Sequence, residues 1–194
     1  LPQSHIDFAA VQSVFAIALH MHQPLIPAGS SDISSAPVIS NLQHMLDHPD
    51  EGDNHNAPVF LRCYERMSEL IQELVRDGKQ PRIMLDYSGC LLHGLRQMGR
   101  DDVLESLATL LRDERTARCV EWLGAPWGHA VAPSTPPQDY RLHVLAWQHQ
   151  FADIFGFDAL SRVRGFSPAE MALPNHPDVC YEFVRTLLDC GFRW

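Results

Sequence analysis

The chain has 194 residues, of which 45% are hydrophobic and 20% charged, a globular composition with enough length for a substantial core. Its net charge of -9 excludes a nucleic-acid backbone as the main partner, because counterion-release binding needs clustered Lys and Arg and the basic residues here are scattered. No run of about 18 apolar residues is present and the N-terminus lacks the basic-then-apolar order of a signal peptide, so no membrane partner is expected.

The cysteines Cys63, Cys90, Cys119, Cys180 and Cys190 stand singly, without a CxxC pair, and read as reduced, packed thiols of a cytoplasmic protein. Leu1 in place of Met, and Gly191 to Trp194 opening a strand straight after a helix, predict that residues 1–194 are a portion of a larger domain. No pattern specifies an oligomeric state.

After a mixed leader over residues 1–12, Val14 to Leu19 predicts the first strand by its β-branched and aromatic content. It ends in His20-Met-His22-Gln23-Pro24-Leu-Ile-Pro27, where apolar scaffold becomes polar chemistry within two residues. The polar stretch at about 28–56 reads as an insertion forming a lid or rim, with a helical turn around Val38 to Leu46. From Pro58 to Gly78 the apolar residues Phe60, Tyr64, Met67, Ile71 and Leu74 are spaced as one helical stripe.

Arg82 to Gly89 predicts a second strand, short and finishing in the polar residues Asp86, Tyr87 and Ser88, and helices follow over Leu91 to Met98 and Asp102 to Leu111. Cys119 to Gly124 is the third strand-like run and passes into Trp127 and His129. A helix from about Gln138 to Phe155 carries Tyr140, Val144, Trp147 and Phe151 on one stripe. Arg162 to Phe166 is the fourth strand and leads to Glu170; a helix from about Asp178 to Cys190 precedes a fifth strand at Phe192. Strand, polar tip and helix alternate, which predicts an α/β fold with a parallel sheet, open or closed into a barrel, whose tips share one face.

The tips deliver His20, His22 and Gln23, then Asp86, Tyr87 and Ser88, then Glu121, Trp127 and His129, then Glu170. Carboxylates, imidazoles and indoles at one rim suit carbohydrate chemistry, as acid, base or nucleophile, as hydroxyl ligands and as stacking faces. The segment His20 to Pro27 resembles the HxHQP-type first region of glycoside hydrolase family 57. Val120 to Gly124 through His129 resembles its second region, and Gly165 to Met171 its third, which carries the nucleophile.

The resemblance implies a (β/α)7-type barrel, here with four to five strands, acting on α-glucans or oligosaccharides by a retaining mechanism without cofactor or metal. It implies Glu170 as nucleophile, with His20, His22, Gln23, Glu121, Trp127 and His129 binding substrate. The family's general acid is an Asp of a later region, expected beyond Trp194. Phe166, Ser167 and Ala169 depart from the family's usual residues before the nucleophile.

Plainer readings stand beside these. The two histidines flanking Met21 are taken to point to opposite sides of the pleat unless Pro24 interrupts it, and one of them could simply be packed. Glu121 could pair with an Arg, Glu170 could cap the following segment, and Asp86 to Ser88 could cap the end of the strand. Trp147 fits the core, and Trp127 between Pro126 and Gly128 is the better sugar platform. Two other functions fit the same residues: a non-catalytic glucan-binding relative, and a metal-dependent hydrolase or deacetylase using the His pair with His129 or Glu121.

Overall fold

A computed structural model of the chain describes residues 7–13 and 15–194, so Val14 lies outside the described residues. The first strand, β1, is Ala18–Met21, later and shorter than expected. β2 (Leu25–Pro27) and β3 (Val38–Ser40) form an antiparallel pair, and α1 (Asn41–Asp47) follows, capped by Ser40, whose Oγ accepts from the Leu42 N–H at 3.2 Å. The segment at 28–56 is therefore partly a hairpin arm and a helix. Leu42 and Met45 sink it into the core.

α2 (Ala57–Arg76) begins with Pro58 in its first turn, where a missing N–H costs nothing. Ala57, Tyr64, Ser68 and Ile71 are its buried positions, whereas Phe60, expected on the stripe, is 37% exposed. β4 (Ile83–Tyr87), α3 (Gly89–Gln97), α4 (Asp101–Arg112), α5 (Glu114–Ala117) and β5 (Val120–Gly124) come next. α6 (Pro137–Phe155), α7 (Phe157–Leu160), β6 (Gly165–Phe166) and α8 (Pro177–Asp189) complete the order.

The main sheet has the order β1-β4-β5-β6 with every pair parallel, as the alternation of strands and helices predicts. Among the described residues the sheet is open, with β1 at one edge. Beside β6 the chain end begins further pairing: the Arg193 N–H donates to the Arg164 carbonyl at 2.7 Å and the Phe166 N–H to the Trp194 carbonyl at 2.9 Å.

Alternation along the strands gives the sheet two unlike faces. Leu85, Tyr87 and Trp122 are buried on the face that the helices cover. Ala18, His20, Met84, Asp86 and Glu121 belong to the other face by register, His20 being opposite Asp86 and Met84 opposite Glu121. The helix-covered core centres on aromatics: Trp147 stacks on Phe151 at 4.8 Å between centroids, and Tyr87 lies 5.4 Å from Trp122.

All five cysteines are unpaired. Cys90 and Cys119 are buried, but Cys63 and Cys180 are exposed, contrary to the expectation that all were packed. Cys63 lies on the solvent side of α2, one residue before the buried Tyr64. No helix among the described residues is long and apolar enough to cross a membrane.

Trp147 is fully buried and its indole N–H donates to the Tyr87 carbonyl at 3.0 Å, tying α6 to the end of β4. Trp147→Ala removes that bond and leaves a large void. Urea unfolding of the variant should show a loss of about 3–5 kcal/mol.

Candidate active site

Three imidazoles meet where β1 and β5 end. His20 closes the regular part of β1 and His22 lies just beyond it; His129 follows β5 in the turn that its N–H closes to the Pro126 carbonyl at 3.0 Å. His22 and His129 stack with centroids 4.0 Å apart and planes 16° from parallel. His20 lies 5.0 Å from His129 and 6.0 Å from His22. The expectation of opposite sides for His20 and His22 fails on the strand period itself, since residues two apart share a face.

Each ring has its own oxygen partner. Nδ1 of His20 is 2.7 Å from Oδ2 of Asp86, Nδ1 of His22 is 2.8 Å from Oγ of Ser88, and Nε2 of His129 is 2.8 Å from Oε1 of Glu170. The sequence alone gives Asp86 and Ser88 a capping role at the end of the strand. Ser88 does cap α3, accepting from the Leu91 N–H at 3.2 Å, but it also faces His22. The signal for a second role was the matched spacing, an HxH on one strand against a DxS on its parallel neighbour.

The electrostatics follow from these partners. The hydrogen bond to Asp86 raises the pKa of His20 against the opposing pull of burial, with the charges of Asp86 and Glu170 helping. Burial, then the charges of His129 and His20, push His22 down to about 4. Glu170 is held below the usual carboxylate range by its hydrogen bond from His129 and that ring's charge, then by His20 and His22.

Backbone strain gathers at the same place. The described non-glycine residues with left-handed φ are His129 at 57°, Glu170 at 57° and Met171 at 53°. Two of the three are the partners of one hydrogen bond. Such outliers concentrate at functional sites, where the surroundings over-determine them.

The remaining candidates sit apart from this cluster. Gln23 is buried, its amide donating to the Tyr64 hydroxyl at 3.3 Å and accepting from Asn41 at 3.0 Å, while that hydroxyl donates to the His22 carbonyl at 3.2 Å. Glu121 lies further down the sheet's uncovered face; among the described residues it has no ion-pair or hydrogen-bond partner, and burial alone raises its pKa. The pairing with an Arg is thus not seen.

Trp127 is half-buried. Its indole N–H donates to the Gln150 side chain and its ring lies where a Cβ on Gly89 would be; its peptide N–H donates to the His143 carbonyl and its carbonyl accepts from the Cys90 N–H, both at 3.0 Å. It brackets β5 to α3 and α6. A surface groove of about 430 Å³ lies elsewhere, between α6 and α8, where Arg141 and Arg185 face Asp189 and Glu182.

The rings of His22 and His129 present faces to each other, so their nitrogens do not converge on a point. Among the described residues no group of three or more His, Cys, Asp or Glu side chains is arranged to hold a metal ion.

Residues 16–194 match the family model described as Glycosyl hydrolase family 57, which includes all of the tips that form this cluster. The chain belongs to glycosyl hydrolase family 57. No curated protein and no solved structure matches it. Membership makes it a glycoside hydrolase domain with a carbohydrate substrate. The cluster sets a carboxylate held below its usual range, Glu170, beside three imidazoles in one place.

The two β1 histidines make opposite contributions to stability. In an unfolded chain each titrates near 6.5. Between about pH 4 and 6.5 the unfolded chain binds the proton that folded His22 refuses, so His22 lowers stability as pH falls through that window. His20, with a raised folded pKa, adds stability below 6.5 that is lost as pH rises through its folded value. His22→Gln should therefore lose less stability than the parent between pH 6.5 and 4, measured as urea midpoints across that range.

Proposed function

We propose that this domain is a retaining glycoside hydrolase or glucanotransferase acting on α-glucans, with Glu170 as the nucleophile. The observation that carries the reading is the Glu170 carboxylate itself. It is 71% exposed, hydrogen-bonded to His129, and biased toward its ionised form by three imidazoles. An ionised, accessible carboxylate beside hydrogen-bond donors can attack an anomeric carbon and still be aimed.

In the first step a Glu170 oxygen bonds to the anomeric carbon as the glycosidic C–O bond breaks, and the leaving oxygen takes a proton from a general acid. In the second, water or another sugar hydroxyl attacks that carbon. The ester bond breaks, the carboxylate is regenerated, and the former acid, now a base, takes the proton. The acid is assigned to the later region in which the family carries its Asp. Its carboxyl would lie about 5–5.5 Å from that of Glu170, the separation of a retaining pair.

His20, His22 and His129 are proposed to bind sugar hydroxyls through their outward ring nitrogens. Gln23 acts through the loop, holding the His22 backbone by way of Tyr64. Trp127 holds the β5 tip through its bracket to α3 and α6. Glu121 is proposed to face the substrate side of a (β/α)7 barrel, a reading supported by its sharing the uncovered sheet face with His20 and Asp86.

Glu170→Gln in the full-length protein should lower kcat on maltooligosaccharides by about 10³-fold or more with the fold intact. A fluorinated glucosyl fluoride that forms a slowly hydrolysed ester should add its mass to the peptide containing Glu170 and to no other. Undiminished turnover in the variant, or an adduct on another carboxylate, removes Glu170 from the chemistry. Maltooligosaccharide binding with neither turnover nor adduct means a non-catalytic glucan-binding domain.

A further inference from the structure

Asp86 in β4 and Ser88 just past its end have the same two-residue spacing as His20 in β1 and His22 just past its end, and the parallel register sets His20 opposite Asp86. The two hydrogen bonds that result differ in kind. Asp86 is 1% exposed, and its Oδ2 can only accept from Nδ1 of His20. Ser88 Oγ already accepts the Leu91 N–H at the start of α3, which leaves its own hydrogen free for Nδ1 of His22.

A carboxylate calls for an N–H at Nδ1; a hydroxyl that donates calls for a bare one. We propose that Asp86 and Ser88 are positioning residues that set the two β1 histidines in opposite states, His20 with its proton on Nδ1 and His22 with Nδ1 bare and its proton on Nε2.

The rest of the site agrees with this assignment. Oδ1 of Asp86 is buried and has no hydrogen-bond partner among the described residues, so the carboxylate's match within the protein is the ring of His20. A buried carboxylate with one free oxygen is best matched by a cation rather than by a neutral ring. The charged or titratable groups that face the two histidines are Asp86 from β4, His129 from the turn after β5 and Glu170 from the turn after β6.

His22 stacks directly on His129 and lies beside His20, so a proton on it would face two other imidazoles, whereas a proton on His20 faces two carboxylates. The shifts of the two rings, up for His20 and down for His22, run in the same directions.

The pair then shows a sugar two different surfaces. Nε2–H of neutral His22 donates to a hydroxyl oxygen. His20, when charged, donates at Nε2 as well and supplies a fixed cation to the field around Glu170; when neutral, its Nε2 accepts. Only this last consequence rests on the reading of Glu170 as nucleophile. The tautomer assignment does not.

The experiment is long-range ¹H–¹⁵N correlation spectroscopy on the full chain labelled at histidine nitrogens, with His20→Gln and His22→Gln used to assign the two rings. The parent should show His20 protonated at Nδ1 at every pH, and His22 as the Nε2–H tautomer above about pH 4, the value to which its environment pushes it. Asp86→Asn should lower the midpoint of His20 and leave the tautomer of His22 unchanged, while Ser88→Ala should release the tautomer of His22 and leave His20 unchanged.

A helix cap alone would not move a ring tautomer. Neutral His20 found with its proton on Nε2, or His22 with its proton on Nδ1, overturns the proposal in the parent spectrum, before any variant needs to fold. Because the readout is spectroscopic, failure of the Glu170 adduct with both tautomers as stated falls on the nucleophile assignment alone.

Discussion

The register between β1 and β4 is the constraint on which the site depends. Strand side chains repeat every two residues, so a slip of one would move every β1 side chain to the wrong face relative to its neighbours. Asp86 would then lose His20 and become a buried carboxylate without a partner, and Leu19 and Met21 would leave the core that they pack against. The backbone secures the correct register at both ends: the Met84 N–H donates to the Ile17 carbonyl at 3.1 Å and the Ser88 N–H to the Met21 carbonyl at 3.0 Å. Apolar residues on one face and a charge pair on the other thus specify the same alignment.

That alignment is braced from the core by a chain of hydrogen bonds through aromatic residues. The Trp147 indole holds the Tyr87 carbonyl, the Tyr87 hydroxyl donates to the Tyr64 carbonyl at 3.0 Å, and the Tyr64 hydroxyl donates to the His22 carbonyl. The path runs from α6 through the end of β4 and α2 to the loop after β1. Every member but the last is a large ring held in the core, with few rotamers open to it. The His22 loop therefore inherits its position from packing, and the polar tips need little stabilisation of their own.

How much of this was legible follows from the range of the forces involved. The order of strands and helices could be read because amphipathic period and capping are local; α3, α4, α6 and α8 lie within two residues of their expected limits. Convergence of His20, His22, His129 and Glu170 followed from strand tips sharing one face of a parallel sheet. What could not be read depended on contacts between distant segments. The pairing of β2 with β3 spans three residues a side, too short for alternation to show. Trp127 looked like a sugar platform because its neighbours in sequence are Pro and Gly, while the space it fills is the missing side chain of Gly89. Asp86 and Ser88 were assigned to capping because a DxS at the end of a strand has that local meaning, and their second meaning exists only across the β1–β4 pair.

The two turns bearing His129 and Glu170 both carry left-handed φ. Left-handed φ is unfavourable for a side chain with a Cβ, less so for a histidine such as His129 and more so for Glu170. The hydrogen bond between them has an exposed carboxylate as acceptor, where solvent competes and the net gain is small. Relaxed backbones at both positions would spare the strain but forgo that contact and the stacking of His129 on His22. The turns are instead held locally, His129 N–H to the Pro126 carbonyl and Met171 N–H to the Pro168 carbonyl, each at 3.0 Å, with Pro168 restricting the approach to Glu170. Strain shared by the two ends of one weak, exposed hydrogen bond has a use where the two side chains must face a third molecule together, as the site proposed for a sugar ring would require.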